Sequence, residues 1–324
     1  MSIKALGIIL GLGGTALFMP NPGSKRAGLD VTVVDEGGNP IQGAAASINR
    51  SPWLQTRPFI GLPLHFLGVK DTRRYIVEER LADETGFVKY RFRSIHTPEG
   101  VSINKEGYYT SWFTFHTDNQ YNSPTWTPYP YKQKVVLRKI NIPIPLFVTP
   151  RRDLKWPGAL DEPVGFDLLR YDWMPPHGGG GHEDLQFLAT LKPNIEEGKT
   201  NFGLLTLTFA GKHDGFIPIL DNQIIFQSVF KFPYSAPLGG YQNISIVTDK
   251  QDTANYGENI NHFFRIRTEL DEQGNIVSAL YGRIEHLEYW VTGRIRDIRF
   301  YYWLNPTPND NNLEWDGKTN LFQK

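Results

Sequence analysis

The chain has 324 residues, with 34 Lys or Arg against 34 Asp or Glu. Its formal net charge is therefore zero, and no global field draws it to nucleic acid or an anionic membrane. Cysteine is absent, which excludes disulfides, thiol catalysis, zinc–thiolate sites and a lipidated cysteine.

Length alone suits two domains. The 31 glycines, 23 prolines and 13% aromatic residues suit short strands joined by many turns. The chain opens on Ala5 to Met19, an apolar run of 15 residues behind Lys4 that stops at Pro20. A spanning helix needs about 20 apolar residues. Five glycine or threonine interruptions weaken the run further. Residues 1–23 are thus expected to be a signal peptide or a short membrane anchor. No second long apolar run follows. The mature chain is expected to have no stable transmembrane span and to reside in the periplasm or outside the cell.

From Val31 to Val34 the β-branched run asks for a strand. Glu36-Gly37-Gly38-Asn39-Pro40 is a turn, and Ile41 with Gly43 to Ile48 restarts a strand of small residues. Asp83-Glu84-Thr85-Gly86 is a second turn. Phe87 to Phe92 then alternates apolar with polar, an alternation expected to bury Phe87 and expose Lys89 and Arg91, or the reverse. VVDEGGNPIQGAAASI followed by DETGFVKYRF is similar to the carboxypeptidase regulatory-like (transthyretin-like) β-sandwich, over about Leu29 to Leu137. The pattern departs from that family between Arg50 and Arg80, where an insertion sits. The resemblance implies a scaffold at residues 24–138, of the kind found as accessory or adhesive domains in exported bacterial proteins. It transfers no catalytic residue.

A second domain is expected over residues 139–324. Its runs at 202–209, 224–232, 263–268, 276–284 and 295–304 read as short strands, with a hairpin turn at Glu272 to Asn275. No long helical period is present. The fold class expected is all-β: an Ig-like or transthyretin-like sandwich, then an antiparallel, jelly-roll-like sandwich. LRKINIPIPLFV, PVGFDLLRYDWMPPHGGGGHEDLQF and YYWLNPTPNDNNLEWDGKTNLF resemble segments of an uncharacterised family of exported proteins of Verrucomicrobia- or Planctomycetes-type bacteria. That resemblance implies a layout and no activity.

Three places carry candidate chemistry. His177, His182 and Glu183 flank a run of four glycines, a candidate metal loop whose spacing matches no established zinc pattern; the competing reading is an exposed turn. Its HGGG element has no Gly-x-Ser-x-Gly partner, which argues against a hydrolase triad. Asn309 to Gly317 is dense in oxygen ligands, open to weak calcium binding or to a chain of Asx turns. Glu285, Glu288 and Asp297 are the carboxylates that a glycosidase or lyase would draw on. No cofactor is called for.

The segment from Tyr108 to Tyr131 holds nine Tyr, Trp or Phe residues. Its first half is expected to be a buried strand. Tyr121, Trp126, Tyr129 and Tyr131 in its proline-flanked half are the candidate ligand-binding rings. The expected function is an exported, non-enzymatic binding or envelope-associated structural protein. A polysaccharide or an envelope protein is its expected partner, and nucleic acid is rejected. The alternative is an extracellular glycan-active hydrolase or lyase.

Overall fold

The computed structural model describes residues 25–50, 76–94, 100–114, 123–150, 154–192, 202–250, 261–291 and 295–322. The expected export segment, most of the insertion between Arg50 and Arg80, and Tyr121 lie outside these residues. The protein is all-β: among the described residues one three-residue turn of 3-10 helix accompanies a succession of strands. No helix among them is long and apolar enough to cross a membrane.

The chain divides into two compact units, Met1–Ile140 with Ile225–Lys231, and Asn141–Ile224 with Phe232–Lys324. The first unit holds β1 (Lys25–Val34), β2 (Ala45–Arg50), β3 (Ile76–Leu81), β4 (Phe87–Ser94), β5 (Val101–Asn104), β6 (Ser111–Phe113) and β7 (Tyr131–Val136). They form a three-stranded sheet in the order β4-β1-β7 and a four-stranded sheet in the order β3-β2-β5-β6. Leu29, Val31, Val33, Val88, Tyr90 and Val135 from the first meet Ala46, Ile48, Val101, Ile103 and Phe113 from the second in one core. This is a sandwich in which alternate residues of each strand point inward. In β4 the inward residues are Val88 and Tyr90, so Phe87 shares the outer face with Lys89 and Arg91, against the expectation that it opposes them. Residues two apart must share a face.

Turn chemistry fixes the register. Gly38 and Gly86 take positive φ, and a Cβ on Gly86 would stand 2.3 Å from the Val33 carbonyl oxygen. The Tyr90 hydroxyl donates to the Ala46 carbonyl oxygen and so joins the two sheets. Residues 224–232, read from sequence as a strand, instead form a turn. The Ser228 amide donates to Ile225 O, and the Ile225 amide to Lys231 O. Here the Gln227 carbonyl and Val229 amide bond to the backbone of Trp112 and Thr110 along the β6 edge. Partners distant in sequence override the local pattern. Arg138, 3% exposed, secures this segment: Nε pairs with Glu36 at 3.0 Å, Nη1 donates to Phe230 O, and the guanidinium lies over the Phe230 ring.

The second unit holds β8 (Ile144–Val148), β9 (Leu154–Lys155), β10 (Pro163–Asp167), β11 (Asp172–Trp173), β12 (Leu185–Lys192), β13 (Phe202–Phe209), β14 (Gly215–Pro218), β15 (Ile246–Lys250), β16 (His262–Leu270), β17 (Ile276–Val291), β18 (Ile295–Leu304) and β19 (Trp315–Asn320). One sheet runs β11-β10-β12-β13-β15; the other runs β14-β16-β17-β18-β8-β19, with β9 alongside β18. Phe166, Phe187, Phe300 and Tyr302 fill the core between them, with Phe166 and Phe300 centroids 5.4 Å apart, edge to face. Gly274 supplies the positive φ of the expected hairpin turn, while Asp271 accepts from the Gln273 and Asn275 amides.

Candidate functional site

The glycine loop is fixed by aspartates. Asp172 Oδ2 accepts from the Gly179 amide, and a Cβ on Gly178 would fall 2.4 Å from Asp172 Oδ1. Asp167 Oδ2 accepts from the Gly181 and His182 amides, and its Oδ1 from Leu169 and Arg170. Arg267 reaches in from β16. Its guanidinium meets both oxygens of Asp184, at 2.8 and 3.0 Å, and Asp167 Oδ1 at 3.1 Å. Asp184 also accepts from the Leu168 amide, while His182 Nδ1 stands 3.2 Å from its Oδ1.

Arg267 sits at a bulge with a positive φ of 51°, a strained position for a side chain of this size. Asp214 holds that kink by accepting from the Arg267 and Thr268 amides. Burial is the largest influence on Asp167 and pushes its pKa up. The Gly181 and Arg170 amides, Arg267 and the His182 amide together outweigh it and hold the carboxyl below its usual value. This arrangement positions a loop. Its carboxylates are already engaged by Arg267, by Arg170 with Nε 3.8 Å from Asp167 Oδ2, and by a set of amides.

The candidate metal ligands are therefore dispersed. His177 is exposed, the His182 side chain is 55% exposed, and Glu183 accepts from Gln186 Nε2 at 3.3 Å. Among the described residues no three His, Asp or Glu side chains group as a metal site. The terminal acidic loop resolves into successive Asx turns: Asp310 caps Asn312, Asn312 caps Glu314, and Asp316 caps Lys318 and Thr319. Glu314, 1% exposed, accepts from the amides of Asn141 and Ile142. Glu285 lies opposite Tyr301, and Glu288 opposite Arg299; Asp297 pairs with Lys155.

The candidate rings part company. Trp126 is 5% exposed, its indole donates to Ser94 O at 3.4 Å and the Lys25 ammonium lies 5.4 Å from its ring centre, so little of the ring is open to a ligand. Tyr131 is half-buried, stacked on Phe113 with centroids 6.4 Å apart. Tyr129 stays 44% exposed, laid over Gly28 of β1 with the Arg91 guanidinium 5.8 Å from its ring centre.

The ring that sequence reasoning missed is Trp112. It projects outward from edge strand β6 and is 54% exposed, while its neighbours Ser111 and Phe113 point inward. Across the four-stranded sheet Trp112 stands in register with Ser102, Ser47 and Glu79. Three strand spacings place Glu79 about 14 Å from Trp112. Ser47 Oγ donates to Glu79 Oε2 at 3.1 Å. Val77 and Leu81 rise beside Glu79 on β3, 64% and 66% exposed, and Asn104 is exposed next to Ser102 along β5. The face thus has a floor of short polar and alanine side chains, an apolar wall on β3 and an indole at the far edge. Phe226 and Val229, 62% and 60% exposed, belong to the turn bonded to β6.

No protein-family model and no curated protein matches the chain. Among solved structures, an intradiol ring-cleavage dioxygenase from Tetranychus urticae aligns with 36% of this chain and 82% of its own, at 14% identity and a TM-score of 0.24. A streptococcal ancillary pilin aligns with 93% of this chain and 61% of its own, at 10% identity and a TM-score of 0.20. BcpA, the major pilin subunit of Bacillus cereus, aligns with 85% and 95%, at 10% identity and a TM-score of 0.20. Scores this low carry no argument about function.

Proposed function

We propose that this is an exported, non-enzymatic binding module of the cell envelope that takes a glycan chain on the outer face of the four-stranded sheet. The observation that carries the reading is Trp112. A 54% exposed indole at the end of the in-register row Ser102, Ser47, Glu79 offers a flat apolar surface beside hydrogen-bonding groups. Sugar rings present that same combination, a C–H face and a hydroxyl rim. The carboxypeptidase regulatory-like resemblance of residues 29–137 fits, since such modules serve exported proteins as accessory or adhesive domains.

The test is titration of the full chain with neutral gluco- and manno-oligosaccharides. Trp112→Ala is expected to weaken binding by about 2 kcal/mol, roughly 30-fold. Trp126→Phe is the control. Equal binding by Trp112→Ala and the parent overturns the proposal. Release of shortened sugars by the parent would instead establish the hydrolase or lyase reading built on Glu285, Glu288 and Asp297.

A further inference from the structure

The two faces of the first unit's sandwich differ in chemistry. On the outer face of the three-stranded sheet, strand pairing gathers cations that lie far apart in sequence. Arg26 stands opposite Arg93, Gly28 opposite Arg91 and Asp30 opposite Lys89; on the other side Lys132 is in register with Asp30 and Lys134 with Thr32. Among the described residues, strand register thus puts six cations and one carboxylate, Asp30, on this face, and Asp30 pairs with Arg91 at 2.6 Å. Arg26, Lys89, Arg93, Lys132 and Lys134 are exposed. The whole chain is neutral, so this concentration is local.

A surface shaped only by solubility mixes both signs, and like charges placed directly opposite destabilise a strand pair. Arg26 against Arg93 is such a placement, and Arg26 lies on the central strand, where no edge needs guarding. Like-facing residues repeat about every 6.6 Å along a strand, and strands lie about 4.8 Å apart. The cations therefore form a regular grid across three strands.

We infer that this face binds a linear anionic polysaccharide, a chain bearing carboxylates or sulfates at regular intervals. Rows of Lys and Arg match its repeated charges, and the Tyr129 ring beside Arg91 offers a platform for one sugar. The other polyanions fit less well. Bilayer docking sinks an apolar face into the headgroup boundary, and Tyr129 is the one large apolar side chain exposed on this face among the described residues. Single-stranded nucleic acid stacks successive bases on several rings, and among the described residues this face offers one exposed ring, Tyr129, with Phe87 half-buried. The site is distinct from the Trp112 face, so either can fail alone.

The test uses the full chain and polygalacturonate oligomers as probe, with neutral dextran oligomers, oligo(dT) and phosphatidylglycerol-containing vesicles as comparison arms. Polygalacturonate is expected to bind in a salt-dependent way, whereas any dextran binding should be insensitive to salt and to the exchanges below. Affinity should fall at least tenfold between 50 and 300 mM salt, because exposed charges are screened over about 6 Å at the upper value. The exchange of two exposed edge-strand cations, Lys132→Glu with Lys134→Glu, should weaken binding more than tenfold. The milder Lys132→Gln with Lys134→Gln should weaken it less. Circular dichroism and urea midpoints matching the parent confirm that the variants fold. Parent-like binding by both folded double variants overturns the inference. So does tighter binding of oligo(dT) or vesicles at equal anionic charge.

Discussion

Replacing Arg267 by methionine tests whether the glycine loop is held by the ion network. The exchange keeps an apolar stem and deletes the cation, leaving Asp184 and Asp167 with side-chain exposures of 0% and 3% and no guanidinium between them. Breaking a buried pair in this way costs about 3–5 kcal/mol, because an uncompensated charge stays behind. The Arg267 side chain is 28% exposed, so water recovers part of the loss, and about 2–4 kcal/mol is expected. At a urea dependence of about 2 kcal/mol per molar, the second unit's transition should move down by about 1–2 M. Tryptophan fluorescence reports it through Trp173, which packs edge-on against Phe166 in that core. Adding Asp184→Asn should recover part of the loss, since it removes the stranded charge. A shift below about 0.5 M, or strict additivity of the two exchanges, would refute the network's role.

Acid should destabilise the fold in a defined window. Asp35, Asp83 and Asp271 are lowered chiefly by the side chains of Asn39, Thr85 and Asn275, while in Asp167 and Asp316 amide bonds outweigh the upward push of burial. A carboxyl lowered in the folded state stabilises fully above its usual 3.8, and that stability is lost as pH falls through the lower folded value. Urea midpoints should therefore hold from pH 7 to 5 and decline below about 4; a flat profile down to pH 2.5 contradicts the assignment. Tyr90→Phe should cost about 1–3 kcal/mol, because the hydroxyl that joins the two sheets of the first unit is lost. Burial, then the charge of Glu78, pushes this phenol up to about 12. In the parent, Tyr90 should therefore ionise only near that pH, as followed by ultraviolet absorbance.

Much of the fold is legible from alternation and turn chemistry. The runs at 202–209 and 295–304 coincide with β13 and β18, and the runs at 263–268 and 276–284 lie inside β16 and β17. Gly38, Gly86 and Gly274 take the positive φ that their turns need. Alternation says which residues share a face, and it is silent on which strands pair. That gap hides the basic face, because Arg26, Arg91 and Lys132 become neighbours only through the order β4-β1-β7. Trp112 was concealed for a related reason: β6 buries Ser111 and Phe113 and, as a three-residue edge strand, leaves the residue between them exposed. The glycine loop advertised its histidines, yet its order comes from Asp167, Asp172, Asp184 and Arg267, the last of them 83 residues beyond Asp184. Periodicity carries no trace of such a partner.

The first unit is discontinuous in sequence, since Ile225–Lys231 completes it. On the ribosome, its last element emerges roughly 90 residues after Ile140, a delay of about 5–20 s at ordinary elongation rates. Throughout that interval the β6 edge lacks the turn that bonds to Thr110 and Trp112 and is open to pairing with another chain. A gene fragment ending at residue 140 would make that unfinished state permanent. The first sandwich is therefore not a cassette that recombination can lift out intact, and the two halves of the gene are expected to be inherited together.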